Sequence, residues 1–389
     1  MDPISGAFVD FIIKKFGRDD FLSNYSKWEP DINELNALNM GWYIYLQSLV
    51  NEYKIEIEND KNNFPKDVPK FLKGFNFAHE GYDIHNGYLS RTAYNSLEKL
   101  VSLNVNVIAI NPFTSMRDEK KLEPLAFWRN PHTENDQSMI FLAHTGEKLG
   151  ITIIMKPHIY LHRSWPGGIE MSSKEDWNKF IHDYYRWIRH YAILSEMYNI
   201  PILCVGNELV QSTLENEDEW IKMFDKLRKI YSGKLVYGAN WGNEFENLTF
   251  WDHLDYIGLS NYYPLSKDDN PTDDELLEGA NKLLNKIEEV QHKYNKPVIF
   301  TEAGFRSSTA PWQSSFEKDK NRKDTNYTSQ VRSYEAFYKA AYEKGWLAGI
   351  FWWKWPSYLE FGGDPHRDLY TPNGKPTEEV VKRWYSKRW

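Results

Sequence analysis

Two glutamates stand where apolar runs end, in settings that suit acid–base chemistry. Ile202-Leu203-Cys204-Val205-Gly206-Asn207-Glu208 closes one run, and Val298-Ile299-Phe300-Thr301-Glu302-Ala303-Gly304-Phe305 closes another. A lone Glu past a strand is ordinarily a solvated loop residue. Two of them, one preceded by Gly-Asn and one followed by Ala-Gly, are more specific. A pair of carboxyl groups facing one cavity can hydrolyse a glycosidic bond: one protonates the leaving oxygen while the other attacks the sugar or activates water. Two such groups at close range repel when both are ionised. One therefore keeps its proton near neutral pH and serves as the acid.

The elements that must position this pair follow a regular pattern. From Lys73 onward, short apolar runs alternate with amphipathic helical stretches. The runs lie at 74–77, 106–110, 152–156, 202–205, 234–238, 256–260, 298–300 and 348–351. Helix candidates lie at 93–103, 134–149, 174–198, 217–231, 273–294 and 326–344. Only the link between the fifth and sixth runs is short, with a minimal helix near 244–253. Alternating strand and helix implies a parallel sheet covered by helices, and eight such units close into a (β/α)8 TIM barrel. A doubly wound open sheet is the alternative, but no G-x-G-x-x-G follows the first run and no phosphate-loop motif occurs. Most runs end in polar or aromatic residues: Asn76 and His79, Asn111, Lys156 and His158, Asn207-Glu208, Asn240-Trp241, Asn261-Tyr262-Tyr263, Glu302 and Trp352-Trp353. In a barrel all these ends meet on one face, where active sites sit.

Composition narrows the partners. The chain has 389 residues, a net charge of −8 and one cysteine. It can bury a large core but can form no internal disulfide. The acidic balance, without a long Lys/Arg run, argues against nucleic acid. The 16 Trp, 25 Tyr and 21 Phe sit in a chain of mean hydropathy −0.66. Such richness in a polar protein suits either a Trp-rich core or faces that stack on sugar rings. No segment reaches the roughly 18 apolar residues of a membrane span.

Residues 1–70 differ from the rest. Apolar residues at helical spacing in 8–16 and 35–53 predict two or three helices, and a charged break at 58–63 follows. The expected organisation is an N-terminal helical extension over 1–70, packed on a catalytic barrel over 71–389. The start, Met1-Asp2-Pro3-Ile4-Ser5-Gly6, lacks the order of a signal peptide. The expectation is a cytoplasmic protein or one whose leader was trimmed, and a monomer.

Several motifs together resemble a known family. Asn207-Glu208 and Glu302, on the fourth and seventh of eight strands, resemble the signature of the clan of retaining (β/α)8 glycosidases that holds the cellulases and mannanases. Within it the chain most resembles glycoside hydrolase family 113, the β-mannanases. The resemblance runs through Met155-Lys156-Pro157-His158 with Ser164-Trp165, Gly206-Asn207-Glu208, Asn261-Tyr262-Tyr263-Pro264-Leu265, Phe300-Thr301-Glu302-Ala303-Gly304, Phe351-Trp352-Trp353-Lys354-Trp355, and Tyr370-Thr371-Pro372-Asn373-Gly374-Lys375-Pro376. It covers roughly residues 70–389; the first 70 have no counterpart in it.

The resemblance implies Glu208 as acid/base, Glu302 as nucleophile and Asn207 as the partner of the sugar 2-hydroxyl. It also implies a tyrosine that holds the nucleophile. Tyr262 is chosen because it shares its alternation phase with Gly258 and Ser260, with Tyr263 as the rim alternative. Trp352 and Trp353 would form the sugar platform. Adjacent strand residues point opposite ways, so one of them is expected in the core. His158 would line the cleavage subsite or make a structural hydrogen bond. Trp165 and Trp241 would stack on further sugars or serve the fold.

The substrate implied is β-mannan or a related β-linked polysaccharide or oligosaccharide, cleaved without cofactor; β-glucans and β-galactans are the alternatives. Metal catalysis is disfavoured. His158 and His162 are separated by a strand context, H-E-x-x-H is absent, and His79 and His85 lack the His-x-His spacing. A serine elbow is absent, and Cys204 lies within a strand. The mixed-charge run 317–324 reads as a solvated loop. A sugar-binding barrel without catalysis would lack one of the two glutamates. An aldolase-type barrel would need a strand lysine, for which Lys156 is the only candidate.

Overall fold

Eight parallel strands close on themselves, and every neighbouring pair is parallel. The structure, a computed structural model, describes residues 3–27, 29–55, 67–80, 87–130, 132–162, 164–313, 325–360 and 369–389. The chain forms two compact units, Met1–Pro65 and Lys66–Trp389. The expected charged break at 58–63, His85 and the run 317–324 lie outside the described residues.

The first unit holds α1 (Pro3–Phe16), α2 (Arg18–Asn24) and α3 (Ile32–Glu52). A capping box starts α3: Asp31 accepts from the Asn33 and Glu34 backbone N–H groups, and Glu34 reaches back to the Asp31 N–H. Phe8, Phe11, Trp42 and Tyr45 pack α1 against α3 at ring distances of 5.3–6.0 Å. No described helix is long and apolar enough to cross a membrane.

In the second unit the barrel strands are β1 (Leu72–Ala78), β2 (Val107–Ile110), β4 (Thr152–Met155), β6 (Ile202–Asn207), β7 (Lys234–Asn240), β8 (Tyr256–Asn261), β9 (Val298–Ala303) and β10 (Leu347–Pro356). Each overlaps one expected run. Two short strands outside the barrel were not expected: β3 (Phe113–Met116) and β5 (His158–Leu161) pair in parallel, with Phe113 opposite His158. Their sequences, FTSM and HIYL, are too short and too polar to announce themselves by periodicity.

The helices are α4 (Arg91–Ser102), α5 (Asp136–Leu149), α6 (Lys174–Met197), α7 (Val210–Glu215), α8 (Glu217–Leu227), α9 (Asn243–Asn247), α10 (Asp273–Tyr294), α11 (Tyr327–Ala341) and α12 (Thr377–Tyr385). Helix α10 illustrates why they form. Thr272 and Glu275 make a capping box, and His292 and Lys293 occupy the last turn. Leu276, Ala280, Leu283, Leu284 and Ile287 give it one buried stripe.

Two apolar layers result. Leu72, Val107, Ala109, Ile154, Ile202, Cys204, Val236, Ile299 and Phe351 fill the barrel interior. A larger aromatic-rich layer lies between strands and helices. Alternation sends Val298 and Phe300 to that outer layer, where Phe300 meets Phe337 of α11 at 5.6 Å. Strict period two would turn Glu302 outward with them. A register shift between Leu259 and Ser260, opposite Phe300 and Glu302, intervenes. Another lies between Cys204 and Asn207, where Leu203 and Val205 face outward. Such irregularities re-aim side chains at strand ends.

Gly279 of α10 packs against the loop that follows β8: a Cβ there would overlap the Leu265 carbonyl oxygen. Helix propensity alone makes Gly→Ala stabilising by about 1 kcal/mol. Gly279→Ala is expected to reverse that sign and lower stability in urea unfolding. A stabilised variant would mean that the α10–loop contact is loose.

Candidate active site

The carboxylate of Glu302 lies almost fully buried at the end of β9, with 6 % of the residue exposed. Three groups donate to it. Lys156 Nζ stands 2.5 Å and Asn207 Nδ2 3.4 Å from Oε1, and the Tyr262 hydroxyl donates to Oε2 at 2.9 Å. An ionised carboxylate accepts only, so this set of donors fits the charged form. Lys156 is itself buried, donates to Asn76 Oδ1 at 2.9 Å and stands 5.6 Å from the centre of the Trp353 ring. Asn76 in turn donates to the Thr301 carbonyl at 3.0 Å. Asn207 is oriented by Ser260, whose hydroxyl donates to Asn207 Oδ1 at 3.3 Å.

Glu208 has a different environment. It follows β6 with φ +52°, a left-handed backbone conformation that is uncommon for a residue with a side chain. Its N–H donates to the Gly238 carbonyl at 2.8 Å. The Trp165 indole N–H donates to its Oε2 at 2.8 Å. Burial raises its pKa from the usual carboxylate range to about 8, and the Glu302 charge adds to the rise. Glu302 is thus surrounded by donors and a cation, whereas Glu208 has one indole and a like charge.

His158, on β5, presents Nε2 3.7 Å from Glu302 Oε1 and makes no hydrogen bond through that atom. Burial, with the Lys156 charge beside it, keeps the imidazole well below its ordinary pKa, so the ring is neutral. It lies between Phe113 at 5.4 Å and Trp353 at 6.5 Å.

Of the two adjacent tyrosines, Tyr262 reaches Glu302. Tyr263 instead donates to Glu246 at 2.6 Å and packs edge-on against Trp241 at 5.0 Å. Trp241 therefore packs with Tyr263 and not with Glu302 or its partners. Trp352 is not a platform. It is fully buried, its indole donates to the Tyr338 hydroxyl at 2.6 Å, and its ring stacks on Tyr334 of α11 at 4.0 Å. Alternation turns it to the helix layer and leaves Trp353 on the site side. Trp165, expected as a stacking surface, is 41 % exposed and also holds Glu208 by its N–H.

Sequence reasoning missed Lys156 as the partner of Glu302 and Asn76 as the partner of Lys156. The signal was present: a lysine inside the Met155-Lys156-Pro157 strand end must be buried, and a buried cation requires a carboxylate. Among the described residues no group of three His, Cys, Asp or Glu could hold a metal ion.

Comparison with known proteins bears on the family and the fold. The family model described as Glycoside Hydrolase Family 113 matches residues 77–375. A solved structure titled as a complex of a GH113 β-1,4-mannanase is 26 % identical, with a TM-score of 0.71, covering 82 % of this chain and 100 % of that one. The β-mannanase AaManA from Alicyclobacillus acidocaldarius, solved with ManMIm, is 23 % identical at TM-score 0.70, covering 82 % of this chain and 98 % of its own. A family 5 mannosidase from Rhizomucor miehei shares the fold at 12 % identity and TM-score 0.55, covering 82 % of this chain and 92 % of its own. No curated protein sequence gives a significant match.

Removing one partner of a buried ion pair typically costs about 3–5 kcal/mol. Lys156→Met is expected to lower unfolding free energy by about 3 kcal/mol on that basis. The double variant Lys156→Met/Glu302→Gln should recover part of the loss in a double-mutant cycle. Additive losses would mean that the pair does not interact.

Proposed function

The chain belongs to glycoside hydrolase family 113, and on that premise we propose that it is a retaining endo-β-1,4-mannanase. The observation that carries this reading is the contrast between its two carboxyl groups. Lys156, Tyr262 and Asn207 surround Glu302 with donors, while burial and the Glu302 charge keep Glu208 protonated around neutral pH. That asymmetry suits a nucleophile and a general acid.

In the first step Glu302 attacks the anomeric carbon. The bond to the leaving sugar breaks, and Glu208 gives its proton to the departing oxygen. In the second step Glu208, now ionised, takes a proton from water. The water oxygen bonds the anomeric carbon, and Glu302 leaves as carboxylate. Two displacements return the original configuration. Asn207 is the partner of the sugar 2-hydroxyl, a contact that strengthens as charge develops at the anomeric centre. Tyr262 steadies Glu302 throughout. Trp353 offers the platform beneath the sugar, and the neutral His158 can donate to or accept from a sugar hydroxyl. Trp165 and Trp241 serve further sugars along the face. The substrate class rests on family membership and on the 26 % identical structure named as a β-1,4-mannanase.

Glu302→Gln should still fold, less stably because Lys156 loses its counter-ion, and lose several orders of magnitude in kcat; near-normal turnover would remove Glu302 from the mechanism. Glu208→Ala should keep activity on substrates with good leaving groups and gain turnover with added azide, and absence of both effects would contradict its role. Galactomannan and glucomannan should be the best substrates in a polysaccharide panel with product analysis. A preference for β-glucan or β-galactan would replace the mannan assignment. The acid works only while protonated, so kcat/KM should fall as pH rises through about 8, the value to which Glu208 is raised. In Glu208→Ala, assayed with a good leaving group, that alkaline limb should vanish. Its persistence would assign it to another group.

A further inference from the structure

The left-handed backbone at Glu208 is a conformation that the surroundings must impose. Such a conformation is strained in a residue with a side chain and persists only when neighbouring contacts over-determine it. Two hydrogen bonds reach this turn from β7. One runs from the Glu208 N–H to the Gly238 carbonyl. The other runs from the next N–H, that of Leu209, to the Tyr237 hydroxyl at 2.8 Å.

That hydroxyl is not left to choose its orientation. It donates to Glu244 Oε1 at 2.6 Å, so its lone pairs face Leu209. Glu244 is fully buried and accepts twice more: from the Thr213 hydroxyl at 2.7 Å and from the Asn240 N–H at 2.6 Å. Thr213 belongs to α7, which begins just after Glu208, and Asn240 ends β7. One carboxylate thus ties the turn after β6 to the end of β7. The Tyr237 ring completes the arrangement. A Cβ on Gly206 would stand 2.8 Å from its Cε2, so the glycine of Gly206-Asn207-Glu208 leaves the space that this ring occupies.

We infer that Tyr237 and Glu244 are positioning residues for the acid/base: through the Leu209 N–H they hold the turn that aims the Glu208 carboxyl at the glycosidic oxygen. Neither residue is assigned a contact with substrate. Burial raises the pKa of Glu244 to about 7, and above that pH its charge adds to the field that keeps Glu208 protonated. The inference rests on the reading of Glu208 as acid/base, and its test separates the two.

Protonation matters only when the leaving group is poor. A displaced acid therefore slows substrates with poor leaving groups and spares those with good ones, while a generally loosened fold slows both. The experiment compares kcat/KM on aryl β-mannotriosides bearing an unsubstituted phenol and a dinitrophenol. Wild type, Tyr237→Phe, Glu244→Gln and Glu208→Ala are assayed, with melting temperatures recorded. Tyr237→Phe keeps the ring and removes the oxygen. It is expected to lose about 10- to 100-fold on the phenyl substrate, as for a small misplacement of a catalytic group, and less than about 3-fold on the dinitrophenyl one, where general acid catalysis contributes little. Glu244→Gln should follow the same pattern and carries the test should Tyr237→Phe not fold. Equal losses on both substrates, or none, would overturn the inference. Equal losses in Glu208→Ala would instead overturn the acid/base reading, and the inference with it.

Discussion

A buried ion pair governs this barrel mouth. Lys156 and Glu302 meet at 2.5 Å with almost no solvent at either side chain. Desolvating both charges is expensive, and attraction alone seldom repays it. Here the remaining lone pairs of the carboxylate are met by Tyr262 and Asn207, and the cation by Asn76. The result is a fixed negative centre in a water-poor place. Burial and the same charge act on Glu208, which has a single indole donor and holds its proton to higher pH than an ordinary carboxyl group. The two carboxyl groups thus sit in unlike surroundings, one ringed by donors and a cation and one buried beside a like charge, as double displacement at an anomeric carbon requires.

The barrel serves that pair by breaking its own regularity at the right end. Register shifts fall between Cys204 and Asn207, between Leu259 and Ser260, between Ile350 and Trp352, and between Phe75 and Phe77. Each lies in, or opposite, the later part of a strand that carries a site residue or its partner; a fifth, between Leu347 and Gly349, lies at the start of β10. Below the mouth the strands fill two apolar layers. Above them, Asn207 and Glu302, which alternation would send to the helices, reach each other across the mouth. The rigid lower barrel fixes backbone positions and the irregular upper ends fix directions. Such division keeps packing and chemistry from competing for the same residues.

This explains what could be read from sequence. The eight runs of apolar residues locate all barrel strands because their periodicity is a property of the regular layer. Glu208, Glu302 and Asn207 were legible as types at strand ends. Tyr262 and the inward orientation of Trp353 follow from alternation, which holds through β8 and around Phe351. The aim of Glu302 and Asn207 does not, because it depends on register shifts that only strand pairing creates. Trp352 was named with Trp353, yet its ring belongs to the Tyr334 and Tyr338 cluster behind the strand. Lys156 carried a signal, a lysine at an apolar strand end, but its partner Glu302 lies 146 residues away in the chain. Tyr237 and Glu244 carried none: no local pattern marks a tyrosine or glutamate that will be buried against the Leu209 N–H and the Thr213 hydroxyl. The strands β3 and β5, the second of which carries His158, are likewise products of pairing rather than of propensity.

The central claim is that Glu302 bonds the sugar. A fluorosugar with an activated leaving group and β-manno configuration slows hydrolysis of the intermediate more than its formation, so the covalent species accumulates. Peptide mapping of the inactivated protein by mass spectrometry should then find one sugar per chain, carried by the peptide that contains Glu302. A sugar on any other residue, or release of an inverted product without an adduct, would contradict the account.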